Sequence, residues 1–508
     1  MTSKKKGTVY LVGAGPGDPG LMTVKGEECL QKADVVFYDY LANPKILKMA
    51  ASTTKLVDVG KRHKSPQISQ EEIEKLMVSE AASGKTVVRL KGGDPFIFGR
   101  GGEEALVLHE AGIPFEIVPG VSSITAVAAY AGIPLTHRNF TADIAIVTGH
   151  EDPHKSGEGS VSWEGAAKMG TVVLLMALGN LRSNLQKLIE YGKSPDTPAA
   201  LISWGTYPRQ KTIVGTVGNL ASLAEKEKIG PPSVIIIGPV VLLREKLKWF
   251  ESKILFNKII LVTRSRDQAS ELSEKFEKLG ANVIEFPIIE IAPPKSWASL
   301  DKAIKNISRY QWIVFTSINS VDNFWCRLKR LKMDVRNCAH LKIAAIGPAT
   351  KDRILSHGLW VDCIPSSYHS KGLAAALKKS GIKGNKVLFP QARDGNDEAI
   401  VELEKLGCRV DRVETYQTKL PAISSEKLKN IFEKQKPDWI TFASSSSVDN
   451  FVKIIGEKNL SHYLEGTKVA CIGPVTRKTA ESYGMKVTVM PRRATLDSLV
   501  EAIALNAG

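Results

Sequence analysis

The chain has 508 residues, of which 43% are hydrophobic, and a formal net charge of +16. No apolar stretch reaches the roughly 18 residues of a bilayer-spanning helix, and the apolar run behind the basic start is too short for a signal peptide. The six cysteines are scattered without a CxxC pair, which argues against a disulfide framework and a zinc site. We therefore expect a cytoplasmic protein with no metal centre and no membrane partner.

The positive charge is concentrated in the second half of the chain. Residues 1–253 carry 30 Lys and Arg against 26 Asp and Glu, whereas residues 254–508 carry 39 against 27. Such an excess suits an anionic partner, although a solvated lysine-rich surface would account for it equally well. The lysines are dispersed and no recognition-helix or aromatic–basic pattern accompanies them, so we expect no nucleic-acid binding. A small polyanion fits the charge instead.

The first half alternates strand-like runs with helical stretches, which is typical of an α/β fold. The predicted strands cover residues 9–12, 35–38, 86–90, 115–118, 144–147, 171–176 and 234–237. A helical linker is predicted over residues 243–253, after the prolines at 195, 198, 231 and 232.

Three glycine-containing motifs follow predicted strands of the first half. The first, VGAGPGDP at residues 12–19, has its glycines at 13, 15 and 17 rather than in the G-x-G-x-x-G spacing, so it does not predict NAD binding. The densest is RLKGGDPFIFGRGG at residues 89–102, and VPGVSS at residues 118–123 is the third. Turns of this kind at strand ends are where an α/β sheet binds a small molecule.

The second half opens with a strand at residues 258–263, a helix at 268–279 and a strand at 282–287, and then repeats itself. Residues 311–324 (QWIVFTSINSVDNF) and 438–451 (DWITFASSSSVDNF) share nine of 14 positions at an offset of 127. Residues 341–359 match 467–485 at an offset of 126. The repeat predicts two similar doubly wound lobes with parallel sheets. Hydroxyl groups at their helix starts indicate carboxylate binding or simple helix capping.

The motifs VGAGPGDPGLMT, VVFYDYL, VGKR, RLKGGDPFIFGRG, VPGVSS, TGH and WGT occur in this order. Together they closely resemble the uroporphyrinogen-III C-methyltransferase family over about residues 7–250. Residues 255–505 resemble the uroporphyrinogen-III synthase family through the bilobal repeat, TSxxxV, IGPxT and VETYQT. The resemblance implies a two-subdomain tetrapyrrole methylase fold in residues 1–250 and a bilobal pair of doubly wound lobes in residues 255–508. The outer lobe would take about 255–289 plus 419–508, and the inserted lobe about 290–415.

For the first half, the resemblance implies S-adenosylmethionine (SAM) as cofactor, folded between two α/β subdomains. The cofactor-binding positions that it implies are Pro16, Gly92, Gly93, Asp94, Ile97, Ser122, Ser123, Met176 and Gly205. Asp94 would accept hydrogen bonds from the ribose hydroxyls or the amino group. Ser122 and Ser123 replace the Thr-Ala of some relatives at this turn, so we expect backbone contacts there rather than side-chain roles.

The family's proton acceptor and proton donor fall on Asp39 and Lys61. Methylation of a porphyrinogen carbon leaves a cationic ring that must lose a proton, which a partly buried carboxylate can accept. The alternative for Asp39 is a helix cap at a strand end, and for Lys61 a solvated loop cation. Arg62 and Arg89, with His63 and Lys64, are candidates for binding acetate and propionate groups of the substrate.

For the second half, the resemblance implies closure of hydroxymethylbilane with inversion of its last ring, without metal or organic cofactor. Tyr416 matches the tyrosine placed near the departing hydroxyl; packing at a hinge is the alternative. Candidate carboxylate-binding hydroxyls are Ser317, Thr350, Ser370, Ser444, Ser445 and Thr476.

The sequence thus predicts a bifunctional enzyme that makes uroporphyrinogen III and methylates it twice to precorrin-2, since the product of the second half is the substrate of the first. The alternative is a methyltransferase for another tetrapyrrole, fused to a non-catalytic bilobal ligand-binding module. A homodimer through the methyltransferase half is compatible with either reading. The destination of the product, sirohaem or cobalamin, stays open.

Overall fold

The computed structural model describes residues 6–60, 68–150, 161–264, 266–420 and 425–507. The chain divides into two compact units. The first comprises Met1–Lys258 and Phe276–Asn282, and the second comprises Ile259–Lys275 and Val283–Asn506. Within the described ranges, no helix is both long enough and apolar enough to cross a membrane.

The first unit contains two five-stranded sheets. Its strands are β1 (Val9–Gly13), β2 (Val35–Tyr38), β3 (Lys55–Asp58), β4 (Val87–Lys91), β5 (Phe115–Val118), β6 (Ile144–Thr148), β7 (Thr171–Leu175), β8 (Pro198–Ser203), β9 (Lys211–Thr216) and β10 (Ser233–Ile237). Its helices are α1 (Val24–Lys32), α2 (Pro44–Leu47), α3 (Gln70–Ala82), α4 (Gly101–Glu110), α5 (Ser123–Tyr130), α6 (Trp163–Lys168), α7 (Leu181–Glu190), α8 (Leu220–Lys226) and α9 (Arg244–Leu247).

The first sheet has the order β3-β2-β4-β1-β5, and its strand pairs are parallel. Its side chains alternate between two separate cores. Leu11 and Phe37 enter the core on one face, and Val12 and Val36 enter the core on the other. Helices on both faces explain why β4 is buried along its whole length. This arrangement brings the carboxyl ends of β1, β4 and β5 to the same edge.

The second sheet has the order β6-β7-β10-β8-β9 and is mixed. Only β6 and β7 pair in parallel, while β10 pairs antiparallel with β7 and β8, and β8 pairs antiparallel with β9. The segment that we expected to be a helical linker is α-helical only over Arg244–Leu247, after a 3-10 turn at Pro239–Leu243. The linker prediction is therefore wrong beyond residue 247.

The second unit also contains two five-stranded sheets. Its strands are β11 (Ile259–Val262), β12 (Asn282–Glu285), β13 (Glu290–Ala292), β14 (Trp312–Phe315), β15 (Lys342–Ala345), β16 (Lys386–Ala392), β17 (Arg409–Lys419), β18 (Trp439–Phe442), β19 (Lys468–Cys471) and β20 (Val487–Val489). Its helices are α10 (Arg266–Lys278), α11 (Ala298–Lys305), α12 (Ile318–Arg330), α13 (Pro348–Ser356), α14 (Ser370–Lys379), α15 (Glu398–Lys405), α16 (Ser425–Lys434), α17 (Ser445–Ile455), α18 (Leu460–Leu464), α19 (Pro474–Ser482) and α20 (Leu496–Leu505).

The two sheets of the second unit have the orders β12-β11-β18-β19-β20 and β13-β17-β16-β14-β15. The second is parallel except at one edge, where β13 runs antiparallel to β17. The α/β fold with a bilobal second unit is confirmed, with this one antiparallel edge strand as a correction to the expected purely parallel lobes.

The internal repeat is visible in backbone detail. Ser317 caps α12 with φ −159° and ψ 154°, and Ser444 caps α17 with φ −161° and ψ 160°. Gly347 and Gly473 precede α13 and α19 with the same extended φ of −163°. Each pair occupies the same place in its own lobe, so the sequence repeat corresponds to two copies of one β-α-β-α arrangement.

Candidate functional site

Three loops meet backbone to backbone at the carboxyl edge of the first sheet. Gly15 and Gly93 form a β-bridge, with N–H to O distances of 3.2 and 2.8 Å. A Cβ placed on Gly120 would lie 2.3 Å from the carbonyl oxygen of Gly93 and 2.6 Å from the Cα of Gly13. Only glycine fits where these backbones touch. The result is a side-chain-free cradle after β1, β4 and β5, where a parallel sheet binds small molecules.

Asp94 ties two of these loops together. Its Oδ1 accepts from the backbone N–H of Phe96 over 2.8 Å, and its Oδ2 accepts from that of Gly120 over 3.0 Å. Both bonds are charge-assisted. A direct contact between Asp94 and a ligand stays a prediction, whereas its role in fixing the loop geometry is observed.

Ser122 and Ser123 lie at the start of α5, next to the cradle. Ser122 Oγ accepts from the Ile124 N–H over 3.3 Å, which is an ordinary helix cap. A Cβ on Gly93 would lie 3.8 Å from the backbone nitrogen of Ser123. The structure thus brings Gly93 and Ser123 together, and the side chain of Ser122 serves the helix.

The turn that follows β8 of the second sheet contacts the loop that follows β1 of the first sheet. The Asp18 N–H donates to Thr206 Oγ1 over 3.0 Å, and the Tyr130 hydroxyl donates to Asp18 Oδ2 over 2.6 Å. A Cβ on Gly17 would lie 2.1 Å from Cε2 of Tyr207. A Cβ on Gly205 would lie 2.5 Å from a methyl group of Val127. Both sheets of the first unit therefore contribute to this region.

Several residues other than glycine, within the sequence motifs or at expected cofactor positions, have strained backbone conformations. Five such residues adopt positive φ angles between 50° and 71°: Phe98, Arg100, Met176, Trp204 and Thr206. This conformation is unfavourable by roughly 1–3 kcal/mol each, and it concentrates at ligand sites. Met176 and Ile97 are also exposed despite being apolar. Met176 therefore combines a strained backbone with an exposed apolar side chain at a position expected to contact the cofactor, whereas Ile97 shares only the exposure.

Asp39 follows β2 at the same edge and is partly exposed. Its Oδ1 accepts from Arg89 Nη2 over 2.5 Å. Arg89 is 3% exposed and also bonds Glu104 Oε1 through Nε over 3.1 Å. Burial alone would lower the pKa of Arg89, but the charges and hydrogen bonds of Asp39 and Glu104 outweigh it and raise that pKa. Asp39 is therefore held by a buried ion pair and still reaches the surface.

This geometry corrects the expectation that Arg89 binds substrate carboxylates. Its remaining Nη1 contacts are with the carbonyls of Phe37 and Leu90, at 3.4 and 3.3 Å. A buried guanidinium already engaged with two carboxylates and two carbonyls has little left for a ligand. The predictions for Lys61 and Arg62 fall outside the described residues, as do His63 and Lys64.

Arg209 is a cation near the site that sequence reasoning missed. Its guanidinium stacks 3.5 Å above the centre of the Trp204 ring and lies 5.4 Å from that of Tyr207. Burial lowers the pKa of Arg209, whereas Tyr207 and Tyr40 raise it by a smaller amount. The structure describes no carboxylate paired with it. The sequence could have indicated Arg209 as a site residue, because it closely follows the WGT motif.

In the second unit, Tyr416 and Ser317 lie together. Their hydroxyl oxygens are 3.2 Å apart, and Ser317 Oγ also accepts from the Ser320 N–H over 3.1 Å. Tyr416 is 8% exposed on β17, close to the start of α12. The pair links a strand to a helix start that carries partial positive charge.

The other hydroxyl candidates of the second unit occupy helix starts. Ser444 Oγ bonds Ser446 Oγ over 3.0 Å, Ser445 opens α17, and Ser370 opens α14. Thr350 and Thr476 are each 5% exposed inside α13 and α19, so packing of the helix start accounts for them better than substrate binding does. Among the described residues, no cluster of His, Cys, Asp and Glu could hold a metal ion.

The chain thus joins an α/β unit with a glycine-lined sheet edge to a bilobal α/β unit, and comparison with known proteins gives a family for each. The model of tetrapyrrole (corrin/porphyrin) methylases matches residues 8–221, and that of uroporphyrinogen-III synthase HemD matches residues 270–501. The chain belongs to the family of porphyrin-biosynthesis proteins that join these two parts. It is an enzyme with a C-methyltransferase half and a synthase half.

The similar proteins differ in how much of the chain they match. The porphyrin biosynthesis protein HemD of Ruminiclostridium josui is 38% identical over 98% of this chain and 97% of its own length. A uroporphyrinogen-III C-methyltransferase of Bacillus subtilis is 48% identical over 49% of this chain and 96% of its own length. A solved uroporphyrin-III C-methyltransferase of Thermus thermophilus, in complex with S-adenosyl homocysteine, is 38% identical and covers 47% of this chain and 100% of its own, with a TM-score of 0.40.

Proposed function

We propose that the second unit closes hydroxymethylbilane to uroporphyrinogen III with inversion of ring D, and that the first unit methylates this product twice with SAM to precorrin-2. The observation that carries the proposal is that each unit has a candidate site of its own kind. One unit has a side-chain-free cradle with the carboxylate of Asp39 at the same sheet edge, and the other has a tyrosine–serine pair at a helix start. Incubating the purified chain with hydroxymethylbilane, with and without SAM, tests it.

We place SAM against the cradle formed by Gly13, Gly93 and Gly120. Backbone packed this closely can lie flat against an adenosine, and Asp94 fixes its loop by bonds to two amide groups. SAM supplies a methyl group on a positively charged sulfur. The further contacts that we propose are those implied by the family: Pro16, Gly92, Asp94, Ile97, Ser122, Ser123, Met176 and Gly205.

Asp39 is the proposed base of the methyltransferase. One of its oxygens is held by Arg89, and its side chain is 29% exposed. A ring carbon that gains a methyl group must lose a proton, and we propose that the second oxygen of Asp39 accepts it. Because the side chain reaches the surface, the proton can leave to water before the second methylation. Lys61 is proposed as the proton donor, and Arg62 and Arg209 as partners of the substrate's carboxylates.

For the synthase we propose that the Tyr416 hydroxyl, bonded to Ser317, assists departure of the substrate hydroxyl. The substrate is flexible and carries many carboxylates, so most of the catalysis comes from orienting it. The excess of Lys and Arg in residues 254–508, 39 against 27 acidic residues, supports a polyanionic ligand. We propose that this half needs no cofactor. The hydroxyl groups proposed to bind the substrate's carboxylates are those of Ser317, Ser370, Ser444 and Ser445. The product is proposed to serve sirohaem or cobalamin synthesis in the cytoplasm. A homodimer through the methyltransferase half remains part of the proposal.

Replacing Tyr416 with Phe tests the synthase site, because it removes one hydroxyl and keeps the ring. We expect turnover to fall by roughly ten- to a hundredfold, and the slower variant to lose substrate to isomer I, which forms without an enzyme. The ratio of isomer III to isomer I against time is the measurement. Tyr310→Phe is the matched control, because its hydroxyl also bonds in this lobe, to Asp411 over 2.7 Å. Equal ratios in both variants would make Tyr416 a packing residue.

Cutting the chain between Phe250 and Leu255 tests the proposed domain boundary. Each piece retains two complete five-stranded sheets. We therefore expect two soluble fragments, the first methylating uroporphyrinogen III and the second forming it. If neither fragment is active alone but mixing restores both activities, the two halves depend on each other and the boundary is misplaced.

A further inference from the structure

Beneath Asp39 lies a buried charge cluster that the proposed reaction does not use directly. Arg89 and Lys91 both come from β4, each 3% exposed, and Glu104 comes from the first turn of α4 with no exposed surface. Glu104 Oε1 accepts from Arg89 Nε over 3.1 Å and from Lys91 Nζ over 2.8 Å. Gln70 Nε2 donates to the same oxygen over 3.1 Å. Glu104 is thus the hub of the cluster, and Arg89 is its only link to Asp39 by hydrogen bonds that the structure describes.

The cluster balances its charges as a set of four. Two cations, Arg89 and Lys91, face two carboxylates, Asp39 and Glu104. Burial lowers the pKa of Lys91 most, Arg89 lowers it further, and Glu104 and Asp39 act in the opposite direction. Removing the charge of Glu104 would leave two buried cations sharing one carboxylate. Arg89 and Lys91 would then both be drawn toward Asp39, since uncompensated buried charge is strongly unfavourable.

Glu104 also retains an unsatisfied group. Its second oxygen, Oε2, is buried and has no hydrogen-bond partner in the part of the chain that the structure describes. A buried carboxylate with an orphan oxygen destabilises the fold compared with an apolar side chain of similar size. Its presence next to a candidate active site therefore calls for a role other than stability.

We propose that Glu104 is a positioning residue that acts on Asp39 through Arg89. The inference rests on the proposed role of Asp39 as the base. Glu104 holds the guanidinium by its Nε, so that a single Nη2 donor meets one oxygen of Asp39 and, among the described residues, leaves the other oxygen to the substrate proton. By pairing with Lys91 as well, Glu104 keeps that ammonium away from Asp39. Asp39 thereby remains an available base beside two buried cations.

The test is a double-mutant cycle in the full-length chain, assayed with uroporphyrinogen III and SAM. Glu104→Gln keeps the size of the side chain and removes its charge. We expect kcat for methylation to fall about tenfold, with KM for uroporphyrinogen III and the SAM dissociation constant within about twofold of the parent. In the Asp39→Asn background the same change should have no further effect, because coupled residues are not additive. Glu110→Gln is the control, since Glu110 is exposed on the same helix.

Each outcome decides between coupling and general damage. Unchanged methylation in Glu104→Gln, or an equal loss in both backgrounds, would overturn the proposal. If Asp39→Asn alone methylates at the parent rate, the proposed base is wrong, and this result is separate from the coupling. Should Glu104→Gln fail to bind SAM because the unit does not fold, the same cycle with Arg89→Lys applies. The Arg89→Lys variant keeps a buried cation, but lysine cannot join both carboxylates in the same way. We therefore expect the same non-additive loss of methylation rate. An additive loss would contradict the proposal.

Discussion

Methyl transfer should slow by about 10²- to 10⁴-fold when Asp39 is replaced with Asn, while SAM binding stays nearly unchanged. The amide has the shape of the carboxylate and can still accept from Arg89, but it cannot take a proton from the methylated ring. Asp39 lies outside the glycine cradle, so the proposed SAM contacts are untouched. Single-turnover methylation of uroporphyrinogen III measures the rate, and calorimetry measures SAM binding.

Asp196→Asn is the control for this prediction, because Asp196 is exposed in a turn of the same unit. It should methylate at the parent rate. Formation of isomer III from hydroxymethylbilane should be the same in both variants, since the synthase half is unchanged. A full methylation rate in Asp39→Asn would reduce Asp39 to a structural partner of Arg89.

Replacing Gly120 with Ala should weaken SAM binding by about a hundredfold or more, about 2.7 kcal/mol. The new methyl group would lie 2.3 Å from the Gly93 carbonyl oxygen and 2.6 Å from the Gly13 Cα. Both neighbours are backbone atoms, so the loops after β1 and β4 must move apart. Their movement would also lengthen the bond between Asp94 and the Gly120 N–H, which measures 3.0 Å. Calorimetric titration of the full chain with SAM measures the loss.

The matched control is Gly179→Ala, where nothing lies within 4 Å of the added carbon. It should bind SAM as the parent does. Retention of parent affinity in Gly120→Ala would show that SAM does not use this cradle. Loss of isomer III formation as well would show damage that extends beyond the first unit.

Most of the fold was predictable because its strands are buried. In the first unit the strands β1, β2 and β7 are short, mostly apolar runs, as buried parallel strands tend to be. Three strands were missed. β3 is largely exposed and contains Lys and Asp, so it lacks an apolar pattern. β8 begins at Pro198, which favoured a turn, and β9 lies at the edge of the sheet.

The site was predictable where it depends on glycine and less so where it depends on burial. A motif of glycines fixes backbone geometry locally, so the cradle followed from the sequence. The buried position of Arg89 did not follow from the sequence. An arginine suggests a carboxylate partner, but its sequence position does not tell whether that carboxylate belongs to the protein or to the substrate. The spacing of the charged residues indicated this arrangement, because Arg89 and Lys91 are two apart in a strand and share a face, and Glu104 lies in the first turn of the next helix. A buried ion pair was a stronger interpretation than a ligand contact.

Incubation of the purified chain with hydroxymethylbilane tests both proposed activities in one experiment. Without SAM we expect uroporphyrinogen III as the product, and with SAM we expect the dimethylated precorrin-2. Isomer I alone, as in the reaction without enzyme, would contradict the synthase activity and leave the second unit as a ligand-binding module. Isomer III that stays unmethylated in the presence of SAM would contradict the proposed substrate of the first unit.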